Sequence, residues 1–238
     1  MAIILHIETA TQVCSVALSA SGIIVEIRET RDKNSHSSTI TVFIEEIMRI
    51  AGMPFSTLDA VAVSMGPGSY TGLRIGVSTA KGICYAIDRP LIAISTLQSM
   101  AAGMKKGMES GLTGTPSLPV LLCPMIDARR MEVYNGLYDM NLKLAREIRA
   151  EIITESSFAA ELGQHQIWFF GDGADKCNPL LGKHANARFI DNFQLSASYM
   201  VNLAEEKFNR SEFADVVYFE PYYLKDFIPG IPRIKGLN

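Results

Sequence analysis

The chain has 238 residues, 48% of them hydrophobic, enough to bury a sizeable core in one large domain or two of about 100 residues each. Its net charge of −3 and pI near 5.8 exclude the basic surplus by which a protein grips nucleic acid phosphates unaided. Cys14, Cys84, Cys123 and Cys177 form no CxxC pair and read as reduced core thiols; without a leader or an apolar stretch of about 18 residues, the sequence predicts a cytoplasmic protein with no membrane contact.

Three strands are predicted first, at 3–7, 14–20 and 23–30, with Ser21-Gly22 turning between the second and third. A helix follows from near Ser38, because Ile40, Phe43, Ile44, Ile47, Met48 and Ala51 recur at helical spacing before Gly52 and Pro54 end it. The apolar run from Ala60 to Val63 marks a strand over 60–65 covered on both faces. It enters the turn Gly66-Pro67-Gly68-Ser69 and then a helix over 71–88. Such a helix start leaves backbone N–H groups that attract an anion or a partner's carboxylate, and Ser69 is placed to cap it.

In that helix Gly72, Gly76 and Ala80 recur every four residues and form one ridge. An interior glycine costs about 1 kcal/mol relative to alanine, so the ridge has a packing or functional reason. It serves either tight packing inside the domain or a helix interface with a second chain.

A strand at 91–94 and a helix opening at Ser95 or Thr96 complete the first half. Residues 103–119 carry Gly, Lys, Ser, Thr and Pro without periodicity and read as a linker loop between a domain over 1–102 and another over 120–238. The second half opens like the first, with strands at 120–126, 131–138 and 144–153 and a helix over 156–162. A strand at 167–170 then runs into Gly171-Asp172-Gly173-Ala174, followed by a short helix over 176–182 and a longer one over 196–209. Two related α/β halves imply a cleft between them.

Four segments occur in one order along the chain: Ile7-Glu-Thr-Ala-Thr-Gln-Val-Cys-Ser-Val-Ala-Leu18, Gly66-Pro-Gly-Ser-Tyr-Thr-Gly-Leu-Arg-Ile-Gly76, Asp127-Ala-Arg-Arg-Met-Glu-Val-Tyr134 and Pro221-Tyr-Tyr-Leu-Lys225. Together they resemble the TsaB (YeaZ) family, the dimerisation subunit of the bacterial tRNA threonylcarbamoyladenosine machinery, across nearly the whole chain. The resemblance implies an α/β fold of two ribonuclease H-like domains in the actin-like ATPase, sugar kinase and Hsp70 superfold. It implies a non-catalytic subunit required for threonylcarbamoyl transfer to N6 of adenosine 37 of tRNA. Its implied partners are a homologous metal-bearing catalytic subunit (TsaD-like) and a P-loop ATPase subunit (TsaE-like), with tRNA reached through the complex and a homodimer formed by the chain alone. The interface would draw on Ile40, Ile44, Ile47, Gly72, Leu73, Gly76, Ala80 and Ile83.

Nucleotide-binding members of that superfold place a carboxylate at the end of the first strand, followed by small hydroxyl residues. Here Glu8, Thr9 and Thr11 stand there, and Glu8 replaces the family's usual Asp, which would displace a metal-held water by about 1.5 Å. Asp127 with Arg129 and Arg130 occupies the corresponding turn of the second half, where they could meet metal and phosphate or pair internally with Glu132. Gly171 and Gly173 could receive a ribose or base edge. Weak ATP or ADP with Mg is the one cofactor these residues suggest.

No catalytic residue and no metal ligand is assigned. His6, His36, His165 and His184 are isolated, Ser69 lies in no GxSxG elbow, and the chain has no GxxxxGK[ST]. The rival expectation is an enzyme, either ATPase- or kinase-like or a glycoprotease-like hydrolase.

Overall fold

The computed structural model describes residues 2–32, 36–111 and 118–225. The first sheet contains β1 (Ile3–Glu8), β2 (Cys14–Ala20), β3 (Ile23–Thr30), β4 (Ala60–Gly66) and β5 (Leu91–Ser95), in the order β3-β2-β1-β4-β5. β1 runs antiparallel to β2 and parallel to β4, with Leu5 opposite Leu18 and Val61. The second sheet contains β6 (Val120–Asp127), β7 (Glu132–Tyr138), β8 (Leu144–Ile152), β9 (Gln166–Phe170) and β10 (Ala187–Ile190), in the order β10-β9-β6-β7-β8. Read from the other edge, this is the same arrangement: an antiparallel meander of three strands, then two parallel ones. The repeat is that of two ribonuclease H-like lobes, the architecture of the actin-like ATPase and sugar kinase superfold.

The helices are α1 (His36–Ile50), α2 (Tyr70–Ile87), α3 (Thr96–Glu109), α4 (Ala159–Leu162), α5 (Asn178–Leu181) and α6 (Val201–Asn209). β1 and β4 are nearly continuous apolar runs because helices cover both of their faces. Leu5, Ile7, Val61 and Val63 meet Ile40, Ile44 and Ile47 of α1 and Val77 and Ala80 of α2. On the opposite face Ile4, Ala60, Ala62 and Ile94 meet Met200, Leu203 and Ala204. Each fully buried Val, Leu, Ile or Met side chain among them contributes about 1.5–3 kcal/mol.

Three differences from the sequence expectation have physical reasons. Residues 103–109 belong to α3 rather than to a loop. Gly103 is the close-packing point there, since a Cβ on it would lie 2.4 Å from the Tyr199 ring. Residues 112–117 of the expected linker lie outside the described residues. Next, the C-terminal part of the chain does not stay with the second sheet. α6 covers β1 and β5, Ala214 bridges Leu91, and the Tyr222 amide donates to the Met65 carbonyl at 2.7 Å. A cut at residue 120 would strip the first sheet of one apolar cover. Finally, the helix expected over 156–162 narrows to α4, and β10 is an additional, partly exposed edge strand of four residues.

α3 joins the lobes. Its Leu97, Met100, Ala101 and Met104 form one cluster with Leu73 from the first lobe and Leu122, Ile126, Trp168 and Phe170 from the second. No described helix is long and apolar enough to cross a membrane.

Candidate functional site

The glycine turn after β4 is pressed onto the loop after β1. The Ser69 amide donates to the Ala10 carbonyl at 2.7 Å, and a Cβ on Gly68 would lie 2.4 Å from that same oxygen. Ser69 caps α2 as expected, its Oγ accepting from the Gly72 amide at 3.2 Å. The amides of Ser69 and Gly72 at this helix start are therefore satisfied within the chain.

Glu8 ends β1 fully buried. Its Oε1 accepts from the Ala10 amide at 2.7 Å and from Ser64 Oγ at 2.8 Å, while Oε2 is buried without a hydrogen-bond partner. Burial pushes the carboxyl up to about 7, against the lowering effect of those hydrogen bonds. Thr9 is buried too, and its Oγ1 donates to the Gly72 carbonyl at 2.8 Å. Both residues expected at the cleft thus point into the lobe: Glu8 ties the end of β1 to β4 through Ser64, and Thr9 fastens the loop after β1 to α2.

The small-residue ridge has the same role. A Cβ on Gly72 would lie 2.0 Å from the Thr9 carbonyl oxygen, and one on Gly76 2.2 Å from Thr9 Oγ1. Ala80 is fully buried. Of the two readings the sequence left open, packing inside the domain is what the ridge does in this chain. Ile40, Ile44, Ile47 and Leu73 are core residues as well, and Ile83 packs partly buried against them. The outward faces of the two helices carry other groups: Val42 and Ile50, each 48% exposed, Tyr85 at 83%, and Gly82, where a Cβ would meet nothing within 4 Å.

Between the lobes lies a pocket of about 200 Å³, lined by Thr11, Gln12 and Val13 on one side and Gly171 and Asp172 on the other, with Arg31, Met100, Phe193, Gln194 and Leu195 completing it. It joins Thr11 to Gly171, but Glu8, Thr9, Asp127, Arg129 and Gly173 do not line it. Its volume falls below the roughly 300–1,000 Å³ of most ligand pockets. Gly171 (φ 103°) and Gly173 lay the β9 turn directly on β6: a Cβ on Gly171 would lie 2.4 Å from the Met125 carbonyl oxygen. That approach lets Asp172 Oδ1 accept from the Asp127 amide at 3.1 Å.

Asp127 accepts from the Arg129 amide at 2.9 Å and forms an ion pair with Lys176, while Glu132 pairs with Lys225. The internal pairing foreseen between the arginines and Glu132 is replaced by these two lysine pairs. Arg129 and Arg130 stand exposed in left-handed backbone, φ 72° and 47°. Among the described residues no group of three or more His, Cys, Asp or Glu is placed to hold a metal ion. Of the pocket residues that sequence reasoning passed over, Asp172 sat inside the Gly171–Gly173 motif. Arg31 and Gln194 carried no local signal, because chain folding alone brings them there.

Fold and site together define a two-lobed protein of the actin-like superfold in which the carboxylate ending the first strand is bonded to the neighbouring strand and the hydroxyl after it to a helix. A family model described as TsaD, tRNA N6-adenosine threonylcarbamoyltransferase, matches residues 23–199. The tRNA threonylcarbamoyladenosine biosynthesis protein TsaB of Escherichia coli is 29% identical over 94% of this chain and 94% of its own length. A solved structure, YeaZ from Pseudomonas aeruginosa, superposes with a TM-score of 0.78 at 25% identity, covering 94% of this chain and all of that one. A shorter stretch, 32% of this chain, is 34% identical to 22% of the tRNA N6-adenosine threonylcarbamoyltransferase of Clostridium perfringens. The chain belongs to the TsaB (YeaZ) family.

Proposed function

We propose that this chain serves tRNA threonylcarbamoyladenosine biosynthesis as a non-catalytic subunit, docking onto a homologous, metal-bearing transferase that moves the threonylcarbamoyl group to N6 of adenosine 37. The observation that carries the reading is the commitment of Glu8 and Thr9. At the position where an active member of the superfold presents a carboxylate and a hydroxyl to phosphate and metal, both side chains are fully buried and bonded to Ser64, Ala10 and Gly72. Held that way, Glu8 ties β1 to β4, Thr9 positions α2, and both are withdrawn from a reacting phosphate.

The likeness of a stretch of this chain to a transferase supports a homologous partner, paired lobe to lobe. The outward faces of α1 and α2, with Val42, Ile50, Gly82 and Tyr85, are the docking surface in this reading, and the same faces join two copies when the partner is missing. A P-loop ATPase is the third subunit, and tRNA is held by the complex in the cytoplasm.

The test is threonylcarbamoylation of tRNA by the purified transferase and P-loop ATPase, supplied with threonylcarbamoyl-AMP, with and without this chain. Product formed only when chain and transferase are combined supports the reading. Turnover by the chain alone, or product formation indifferent to it, refutes the reading and favours the enzyme alternative.

A further inference from the structure

The C-terminal segment runs along α2 and is tied to it at several points. Lys81 Nζ donates to the carbonyls of Val217 at 3.1 Å and Phe219 at 2.9 Å. The Tyr223 ring lies 4.8 Å from that of Tyr70. Between helix and segment a groove of about 460 Å³ remains, lined by Tyr70, Arg74, Ser78, Lys81, Glu220 and Tyr223.

Arg74 is the unusual member of that groove. Its guanidinium lies 5.2 Å from the Tyr70 ring centre, and Nη1 donates to the Tyr70 hydroxyl at 3.2 Å. That one bond uses one of five N–H donors. Among the described residues no carboxylate pairs with it, although Glu220 lines the same groove. A guanidinium fixed at one nitrogen beside aromatic walls presents the rest of its fork in a set direction, the geometry that takes a carboxylate through two parallel bonds. Lys81 adds a second positive charge.

Arginine and tyrosine in a recess are also the residues that dominate binding energy at protein interfaces. A phosphodiester backbone fits less well, because it would bring a row of charges against Glu220 and a chain of net charge −3, whereas one carboxylate brings a single charge to a groove that holds both Arg74 and Lys81.

We infer that this groove is a docking site for an acidic side chain of a protein partner: Arg74, steadied by Tyr70, forms a bidentate pair with an Asp or Glu of the subunit seated on the outer face of α2. The inference rests on the partner-subunit reading above and names the chemistry of that contact.

Calorimetric titration of the metal-bearing homologue into this chain tests it, using wild type, Arg74→Ala, Arg74→Lys and Arg74→Glu, with thermal unfolding confirming that each variant is folded. Arg74→Ala is expected to weaken the pair about 10- to 100-fold, as the loss of charged hydrogen bonds does. Arg74→Lys keeps the charge without the fork and falls between, and Arg74→Glu binds most weakly. Full affinity in all three variants overturns the inference while leaving the partner-subunit reading standing. It is equally overturned if Arg74→Ala leaves the pair intact and lowers only the affinity of the assembled pair for tRNA. Failure of the wild-type chain to bind the homologue refutes the partner-subunit reading itself and the inference with it.

Discussion

Replacing Glu8 by Gln isolates the charge of a carboxyl that the fold has placed out of water. Burial raises this group from its ordinary 4.5 to about 7. Between those two pH values the folded chain keeps a proton that the unfolded chain has released, so the unfolded state binds fewer protons and stability falls as pH rises across the window. A displacement of about 2.5 units corresponds to about 3 kcal/mol, fully felt above pH 7 and absent below about pH 4.5. The amide of Gln carries no charge at either end. Its oxygen can accept from Ala10 and Ser64 as Glu8 Oε1 does, but its nitrogen would stand where Oε2 is buried without a partner, at a cost of about 1 kcal/mol.

Glu8→Gln should therefore be slightly less stable than wild type at pH 4.5 and about 2 kcal/mol more stable at pH 8. The difference between the two pH values, about 3 kcal/mol, is independent of the amide penalty and equals roughly 6–12 °C in Tm for a chain of this size. Urea unfolding of both proteins at the two pH values measures it. An effect of the substitution that is the same at pH 4.5 and pH 8 would mean that Glu8 ionises in the fold as it does in water. The account of a carboxyl held inside the lobe would then fail.

Gly72→Ala and Gly82→Ala sit on the same helix and should differ in sign. The first drives a methyl to 2.0 Å from the Thr9 carbonyl and should destabilise by about 1–3 kcal/mol; the second meets open space and should stabilise by up to about 1 kcal/mol in denaturant titrations. His6 is fully buried against Ser19 Oγ, and burial lowers it from 6.5 to about 3. The unfolded chain takes up that proton first, so the contribution of His6 is complete above pH 6.5 and declines toward pH 3. His6→Gln should accordingly destabilise more at pH 7 than at pH 4.5, by about 2–3 kcal/mol in paired unfolding curves. Tyr85→Ala, which removes an 83% exposed ring from α2, should leave folding stability within about 0.5 kcal/mol of wild type yet weaken association with the transferase in sedimentation experiments.

Much of the architecture follows from local sequence, because its signals are local. The uninterrupted apolar runs of β1 and β4 announce strands covered on both faces, the spacing from Ile40 to Met48 announces α1, and Ser69 announces the cap of α2. The duplicated order of strands shows in the similar openings of the two halves. What the sequence left undecided is where each face points. Gly72, Gly76 and Ala80 define a ridge fit for close approach, yet the chain itself supplies the approaching backbone at Thr9. Glu8 stands at a catalytic-looking position, yet its direction depends on Ser64, 56 residues away. Residues 103–109 lack periodicity but continue α3, whose Gly103 and Met104 are buried, Gly103 against Tyr199, and α6 lies on the first sheet because Ile4, Ala62 and Ile94 need a cover. Propensity and spacing act over a few residues and fix the elements; burial is a property of the assembled layers, and it alone decided which side chains are core and which are exposed.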